Sequence, residues 1–432
     1  MEVEANIRPL NEGSTSFFKT VFNGLNVIIG IGVLSMPYAL ASGGWLSLIL
    51  LFGISGAACY AGLLTKRCMD ANPRIKTYAE IGEFAFGKIG KRVLSIILYI
   101  DLYLALTGYL IVEGDNLHDL FPKVKTNFHG INIGGKQSFI MIIAVAFLPT
   151  VWLEDLSVLA YVSATGVISG FVILASVLWV GLFDGVGFHS RGELINWKGI
   201  PTAMSLYMFS YSANPVFPTL YASIKKKRHF SKVLLIGFFG ATICYATMAI
   251  LGYMMFGSAL QSQITLNLPT QKLSSKIALY TTWISPLSRY ALMMEPVAAT
   301  TESWFPKHQK KKGFKIVLRT ILVVSQAIIA MSIPFFGSLM SLVGALIGAT
   351  ASITIPCLCY LKISSKNLRR SNERVVIMLL AVLSIVIVVV GTYTSMKNII
   401  KEIMIGRRLH FLGHDFTCMV TNQANVAEYS GT

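Results

Sequence analysis

Asp101 and Arg289 are the first residues to weigh, because each interrupts a run apolar enough to cross a membrane. Charge in such a place is costly and, as a rule, functional. Asp101, within YIDLYLALTGY, lies roughly 12 Å into its run at 1.5 Å per residue, and Arg289 lies roughly 15 Å into its own. The matched depths suit a structural ion pair between spans, and they leave open a proton-coupling role for Asp101. Two other stretches carry chemistry without charge. IIGIGVLSMPYALASGGW, Ile28 to Trp45, sets Gly30, Gly32 and Pro37 inside an apolar run. Glycine frees the backbone and proline removes an amide donor, so a helix opens here. Opened backbone survives in lipid only where it is buried in protein or lines a cavity. Unwinding at Ile29, Gly30, Ile31, Gly32 and Val33 presents amides at the start of a half-helix, a place for an anion such as a carboxylate. Gly30 and Gly32 are read first as site residues, with helix packing the competing use of small side chains. Asn23 and Asn26, just before the break, are either substrate-near donors or helix contacts.

The second stretch, GIPTAMSLYMFSYSANPVFPTLY, packs Ser210, Ser212, Asn214, Pro215 and Pro218 into a dozen residues. Tyr207, Phe209, Ser210, Tyr211 and Ser212 offer aromatic faces beside hydroxyls, a wall suited to a ligand with a neutral side chain. Ordinary interhelical hydrogen bonding is the competing use of the same groups.

The elements that must hold these residues are membrane spans. Of 432 residues, 54% are hydrophobic and 13% charged, too little charge to cover a water-soluble protein of this length. Eleven runs approach span length, near 18–40, 45–64, 93–114, 137–153, 157–182, 199–221, 231–256, 276–299, 315–334, 336–360 and 375–396. The fourth is short, and Pro334 alone divides the ninth from the tenth. TYAEIGEFAFG, Thr77 to Gly87, is too short and polar to span and is expected to form an amphipathic surface helix. The segment 1–15 is expected to be a loose cytosolic start, 16–397 the span domain and 398–432 an atypical tail. The first apolar run follows Glu2, Glu4 and Glu12 rather than a basic start, so span one is expected to act as the insertion signal.

Gly30 lies roughly 18 Å in from Phe18 and Ser210 roughly 20 Å in from Trp197, both near the middle of a core of roughly 30 Å. Two helices interrupted at midplane, five spans apart, point to a transporter with inverted repeats. The net charge of +17 does not imply nucleic acid. Basic clusters such as Lys225, Lys226, Lys227 and Arg228 fall mainly on one side if the N-terminus is cytosolic, the positive-inside asymmetry, with membrane lipids their partners. Eleven spans then put the C-terminus in the lumen.

Six cysteines, most of them inside spans, form neither a disulfide framework nor a metal-ligand pattern. No cofactor is expected. All seven histidines read as loop or tail residues, which excludes a histidine relay within the membrane, and no paired intramembrane aspartates or Ser/His pair suggests an enzyme. Oligomeric state is not written in the sequence.

Many motifs in order carry a resemblance. SFFKTVFNGLNVIIGIGVLSMPYALASGGW, RCMDANPRIKTYAEIGEFAFG, EGDNLHDLFP, SANPVFPTLY, ITLNLP, SKIALYTT, PFFGSLMSLVGALIGATASITIPCLCYLKI and VVGTYTSM are similar to the vacuolar amino acid transporters of plants and fungi, within the amino acid/auxin permease family. The resemblance runs from about Ser16 to Lys397. It implies an all-α, LeuT-like inverted five-plus-five helix repeat with an eleventh span. It also implies secondary active transport of amino acids, usually coupled to protons, at the vacuolar membrane. The N-terminal extension is shorter than in many relatives, and the tail from about Glu402 departs from the family's ending. An auxin-type permease and a non-transporting amino acid sensor remain alternatives. Sodium coupling would need an oxygen cage between broken span one and span eight, where Thr281, Thr282, Ser285 and Ser288 offer hydroxyls. No intramembrane carboxylate is expected near the span-one break, and Glu295 is expected near the interface, solvated.

Overall fold

The first apolar run does not form one helix. Ser16 caps its start through a side-chain bond to the Lys19 amide, and α1 (Phe17–Ile28) then ends at Ile29. After the bend comes α2 (Gly32–Gly43), set at 52° to α1. The computed structural model describes residues 15–72, 74–122, 126–128, 131–133, 135–152, 165–305, 311–333, 335–365 and 372–411. The loose start before residue 15, Pro334, Cys418 and the tail beyond residue 411 lie outside them.

A straight helix follows, α3 (Ser47–Ala71). The surface helix expected from TYAEIGEFAFG is the opening of α4 (Tyr78–Leu120), started by a Thr77–Glu80 capping box. Gly87, at φ +69°, turns the chain there, a conformation that glycine adopts without a Cβ penalty, and α4 then continues as span three. A two-stranded ribbon, β1 (Thr126–Phe128) against β2 (Ile131–Ile133), leads into α5 (Gly135–Trp152). Next come α6 (Thr165–Phe183) and the second broken run, α7 (Ile200–Ser210) and α8 (Phe217–Ser223), with a 3₁₀ turn at Asn214–Val216 between them. Pro215 and Pro218 lack the amides that would continue α7, so the run breaks where the sequence placed the break.

The second half holds α9 (Phe230–Phe256), α10 (Leu273–Ser303), α11 (Lys312–Ser332), α12 (Phe336–Val343), α13 (Ile355–Ile363) and α14 (Asn372–Phe411). Two π-helical turns, Gly344–Gly348 and Thr350–Thr354, join α12 to α13 into one span. Helix α14 runs past residue 397, where the sequence had ended the span domain. Among the described residues seven helices are long and apolar enough to cross a membrane, and the bent α1–α2 pair makes an eighth. The remaining expected spans correspond to α6, to broken α7–α8 and to proline-bearing α10.

Packing sorts the helices into two groups. The pieces α1 and α2 pack with α3, α7 and α9, while α4 packs with α5, α10 and α11. Helix α6 lies against α10, α9 and α1. Spans one and two thus join six and seven, and three and four join eight and nine, an interval of five in each case. The outer faces of α9 and α14 expose Leu235, Phe239, Val375, Val382 and Val389, the apolar surface a bilayer covers.

Candidate functional site

The span-one break is held from two sides by side chains of other helices. On one side stands α9. The Tyr245 hydroxyl lies 2.6 Å from the Ile28 carbonyl and 3.2 Å from that of Ser210, so one donor serves the loosened carbonyls of both broken helices. Gly32 lies directly on Ser210: a Cβ there would stand 2.9 Å from the Ser210 Cβ and 3.0 Å from its Cα. Only a residue without a side chain permits this approach.

The other side is α10. Arg289 donates from one guanidinium nitrogen to the Ile29 carbonyl at 3.0 Å and from another to Asn26 Oδ1 at 2.6 Å. A positive charge therefore sits on the carbonyl freed by the bend, and Asn26 is one of its supports. The pair expected between Arg289 and Asp101 is not formed: the guanidinium bonds to span one instead. Matched depth along two helices did not specify which faces meet.

A small pocket opens on this second side. Ile29, Gly30, Ile31 and Val33 line it from the break, without Gly32, together with Arg289 and Thr282 from α10. Helix α6 adds Ser169 and Gly170, and α4 adds Val112 and Glu113. Glu113 corrects the expectation that no intramembrane carboxylate stands near the break. Hydropathy ended span three at residue 114 and left Glu113 at its margin, whereas α4 continues to Leu120 and carries Glu113 to the cavity wall. It is 1% exposed, and neither carboxylate oxygen has a hydrogen-bond partner.

The span-six residues are not brought to this cavity. Tyr207 bonds Ser47 at 3.1 Å, Tyr211 bonds Thr242 at 2.9 Å, and Ser210 returns its hydroxyl to the Leu206 carbonyl. Ser212 meets Ser352 at 3.4 Å, and Phe209 packs against the π-helical turn at Gly344. Asp101 does not line the cavity either; it is twelve residues, roughly 18 Å, along α4 from Glu113. Glu295 is not simply solvated, because Arg319 binds it at 2.7 Å and also reaches Glu302 and the Val151 carbonyl. His118 is not a loop residue but lies in the last turn of α4. Of the hydroxyls offered for sodium, Thr281 bonds the Ile277 carbonyl and Thr282 that of Leu279; the side chains of Ser285 and Ser288 lie outside the described residues.

Tyr245 and Glu113 were both missed from sequence. A tyrosine in an apolar span has no distinguishing neighbourhood in one dimension, whereas a glutamate within YLIVEGDN is a visible signal, at the margin of its span.

The family model for "Transmembrane amino acid transporter protein" matches residues 13–400, nearly the whole span region. The chain belongs to this family. It is an integral, multi-pass membrane protein and an amino acid transporter, not an enzyme. Amino acid transporter AVT1I of Arabidopsis thaliana is 50% identical over 394 residues, covering 91% of this chain and 97% of the relative. AVT1J of the same plant is 50% identical over 392 residues, covering 90% and 92%. The vesicular GABA transporter of Caenorhabditis elegans is 27% identical over 376 residues, covering 83% and 75%. Among solved structures, MhsT in complex with L-phenylalanine superposes with a TM-score of 0.52 at 12% identity, covering 87% of this chain and 99% of that one. That likeness shows the fold, LeuT-like, which this member of the amino acid transporter family shares.

Proposed function

We propose that this amino acid transporter carries neutral amino acids in exchange for protons, at the vacuolar membrane, through eleven spans with the N-terminus cytosolic and the C-terminus lumenal. The observation that carries the reading is the Arg289 guanidinium on the Ile29 carbonyl. A sodium-coupled carrier would need an ion at oxygens between broken span one and span eight. Here a span-eight cation already occupies such an oxygen. The same charge, with the first amides of α2, offers a place for the substrate carboxylate. Ile29, Val33, Leu34, Val112 and Ile173 form the apolar lining that a neutral side chain would meet. Orientation is supported by the basic clusters, and the vacuolar membrane by the motif resemblance.

Uptake of radiolabelled neutral amino acids into proteoliposomes tests this. The reading expects accumulation in acidic-inside vesicles that persists without sodium and collapses with a protonophore. Uptake that requires sodium and ignores the protonophore would overturn it.

A further inference from the structure

Among the described residues, Glu113 differs from the other fully buried acids, Asp115 and Glu302. Asp115, one residue-pair further along α4, is held by Lys136 at 3.0 Å and by Gln263 at 3.1 Å. Glu302 is held by Arg319. Glu113 is equally buried, yet both of its oxygens lack a donor and it lines the cavity that Arg289 also lines. A carboxyl left in this condition inside a protein is an expensive feature, retained where it has a ligand to meet. The fixed guanidinium of Arg289 is itself only partly used, since its Nε has no partner. The cavity therefore presents one unmatched acid and one incompletely matched base, the complement of a zwitterion.

A chain of polar side chains borders the same cavity. Thr282 lines the cavity and accepts from Asn116 at 3.2 Å, and Asn116 accepts from Thr265 at 2.9 Å. Beyond them, at the end of α4, lie Gln263, Asp115, Lys136, His118 and Asp119. Facing Glu113 across the cavity wall, the charged group is Arg289 of α10; Lys136 of α5 is engaged with Asp115; and the titratable neighbours on α4 itself are Asp115, His118 and Asp119.

We propose that Glu113 is the coupling residue, a carboxylate that holds either the substrate ammonium group or a proton but not both. The proposal rests on the proton-exchange reading above. On the cytosolic side the arriving ammonium pairs with Glu113, and the carboxyl proton passes to cytosolic water. On the lumenal side the amino acid departs, and a proton from lumenal water re-forms the neutral carboxyl. Each cycle exchanges one ligand for the other because both need the same oxygens. Arg289 stays charged throughout and keeps the carboxylate end of the ligand.

The test is the affinity of the purified, detergent-solubilised protein for a radiolabelled neutral amino acid across a pH series. Competition by one proton weakens apparent binding by up to about tenfold per unit of acidification. The wild type is expected to follow that slope. Glu113→Gln is expected to bind about tenfold or more weakly at neutral pH, with no pH dependence, and Glu113→Asp to keep the slope with a displaced midpoint. Asp101→Asn is expected to keep the wild-type profile. A Glu113→Gln protein with the wild-type slope, or a flat Asp101→Asn profile, would overturn the assignment. So would a Glu113→Gln protein that binds at no pH if Glu113→Asp binds without pH dependence. Wild-type uptake that ignores the protonophore sinks the proton-exchange reading itself, whereas proton-driven uptake alongside any of these outcomes sinks only the role of Glu113.

Discussion

The two sides of the span-one break are built from the same kinds of residue and end in opposite states. Toward α7 and α9 the break is closed: Gly32 touches Ser210, and Tyr245 bridges the carbonyls of Ile28 and Ser210. Toward α4, α6 and α10 it is open: Gly30 borders a cavity, and a Cβ there would meet nothing nearer than an Arg289 nitrogen at 3.8 Å. Two glycines two residues apart thus serve different ends. One lets two helices touch, and the other borders open space. Close packing and open space, both compatible with glycine when it is read in sequence, are divided between the two positions.

Substitution at the two glycines separates the sides most strongly. Gly32→Val forces Ser210 and its helix away, and overpacking of this kind costs about 1–3 kcal/mol, roughly 5- to 150-fold in a population. Uptake normalised to protein abundance is expected to be lost at Gly32→Val and largely kept at Gly30→Ala. Equal tolerance at both positions would erase the distinction.

Next in size is Arg289→Gln. Hydrogen bonds from a charged donor contribute about 1.5–3 kcal/mol, so uptake is expected to fall roughly tenfold to a hundredfold. Because Arg289 is bound to span one rather than to Asp101, the effects of Arg289→Gln and Asp101→Asn on abundance should add. Rescue of the single variants by the double would restore the ion pair read from sequence.

Smaller still is Tyr245→Phe. Removing one neutral hydroxyl from two carbonyls costs about 1 kcal/mol, which corresponds to roughly a fivefold loss of uptake. Ser212→Ala marks the floor: its contact with Ser352 is long, at 3.4 Å, and a change of roughly twofold at most is expected in the same assay.

Much of this architecture is legible in one dimension because the causes are local. Gly30, Gly32 and Pro37, and then Pro215 and Pro218, weaken helices wherever they fall, so both breaks are placed correctly from composition. Gly87 and the Thr77–Glu80 capping box likewise declare the surface helix before span three. What the sequence does not declare is rotation about each helix axis. Tyr207, Ser210 and Tyr211 have the chemistry of a binding wall, yet their helix turns them toward Ser47, the chain's own Leu206 carbonyl and Thr242. Arg289 has the depth to meet Asp101 and the azimuth to meet Ile29 and Asn26 instead. Glu113 was lost for a different reason, since a hydropathy window dilutes the end of a long helix with its polar flank.

Substrate protection of single introduced cysteines tests most directly which side of the break binds the amino acid. Ser169→Cys lies on the cavity wall and Ser212→Cys on the closed span-six side, while the native cysteines among the described residues are buried. With Cys418 replaced, a saturating neutral amino acid is expected to slow labelling of Ser169→Cys by a small water-soluble thiol reagent and to leave Ser212→Cys unchanged. Protection at Ser212→Cys with none at Ser169→Cys would move the substrate to span six and contradict the account.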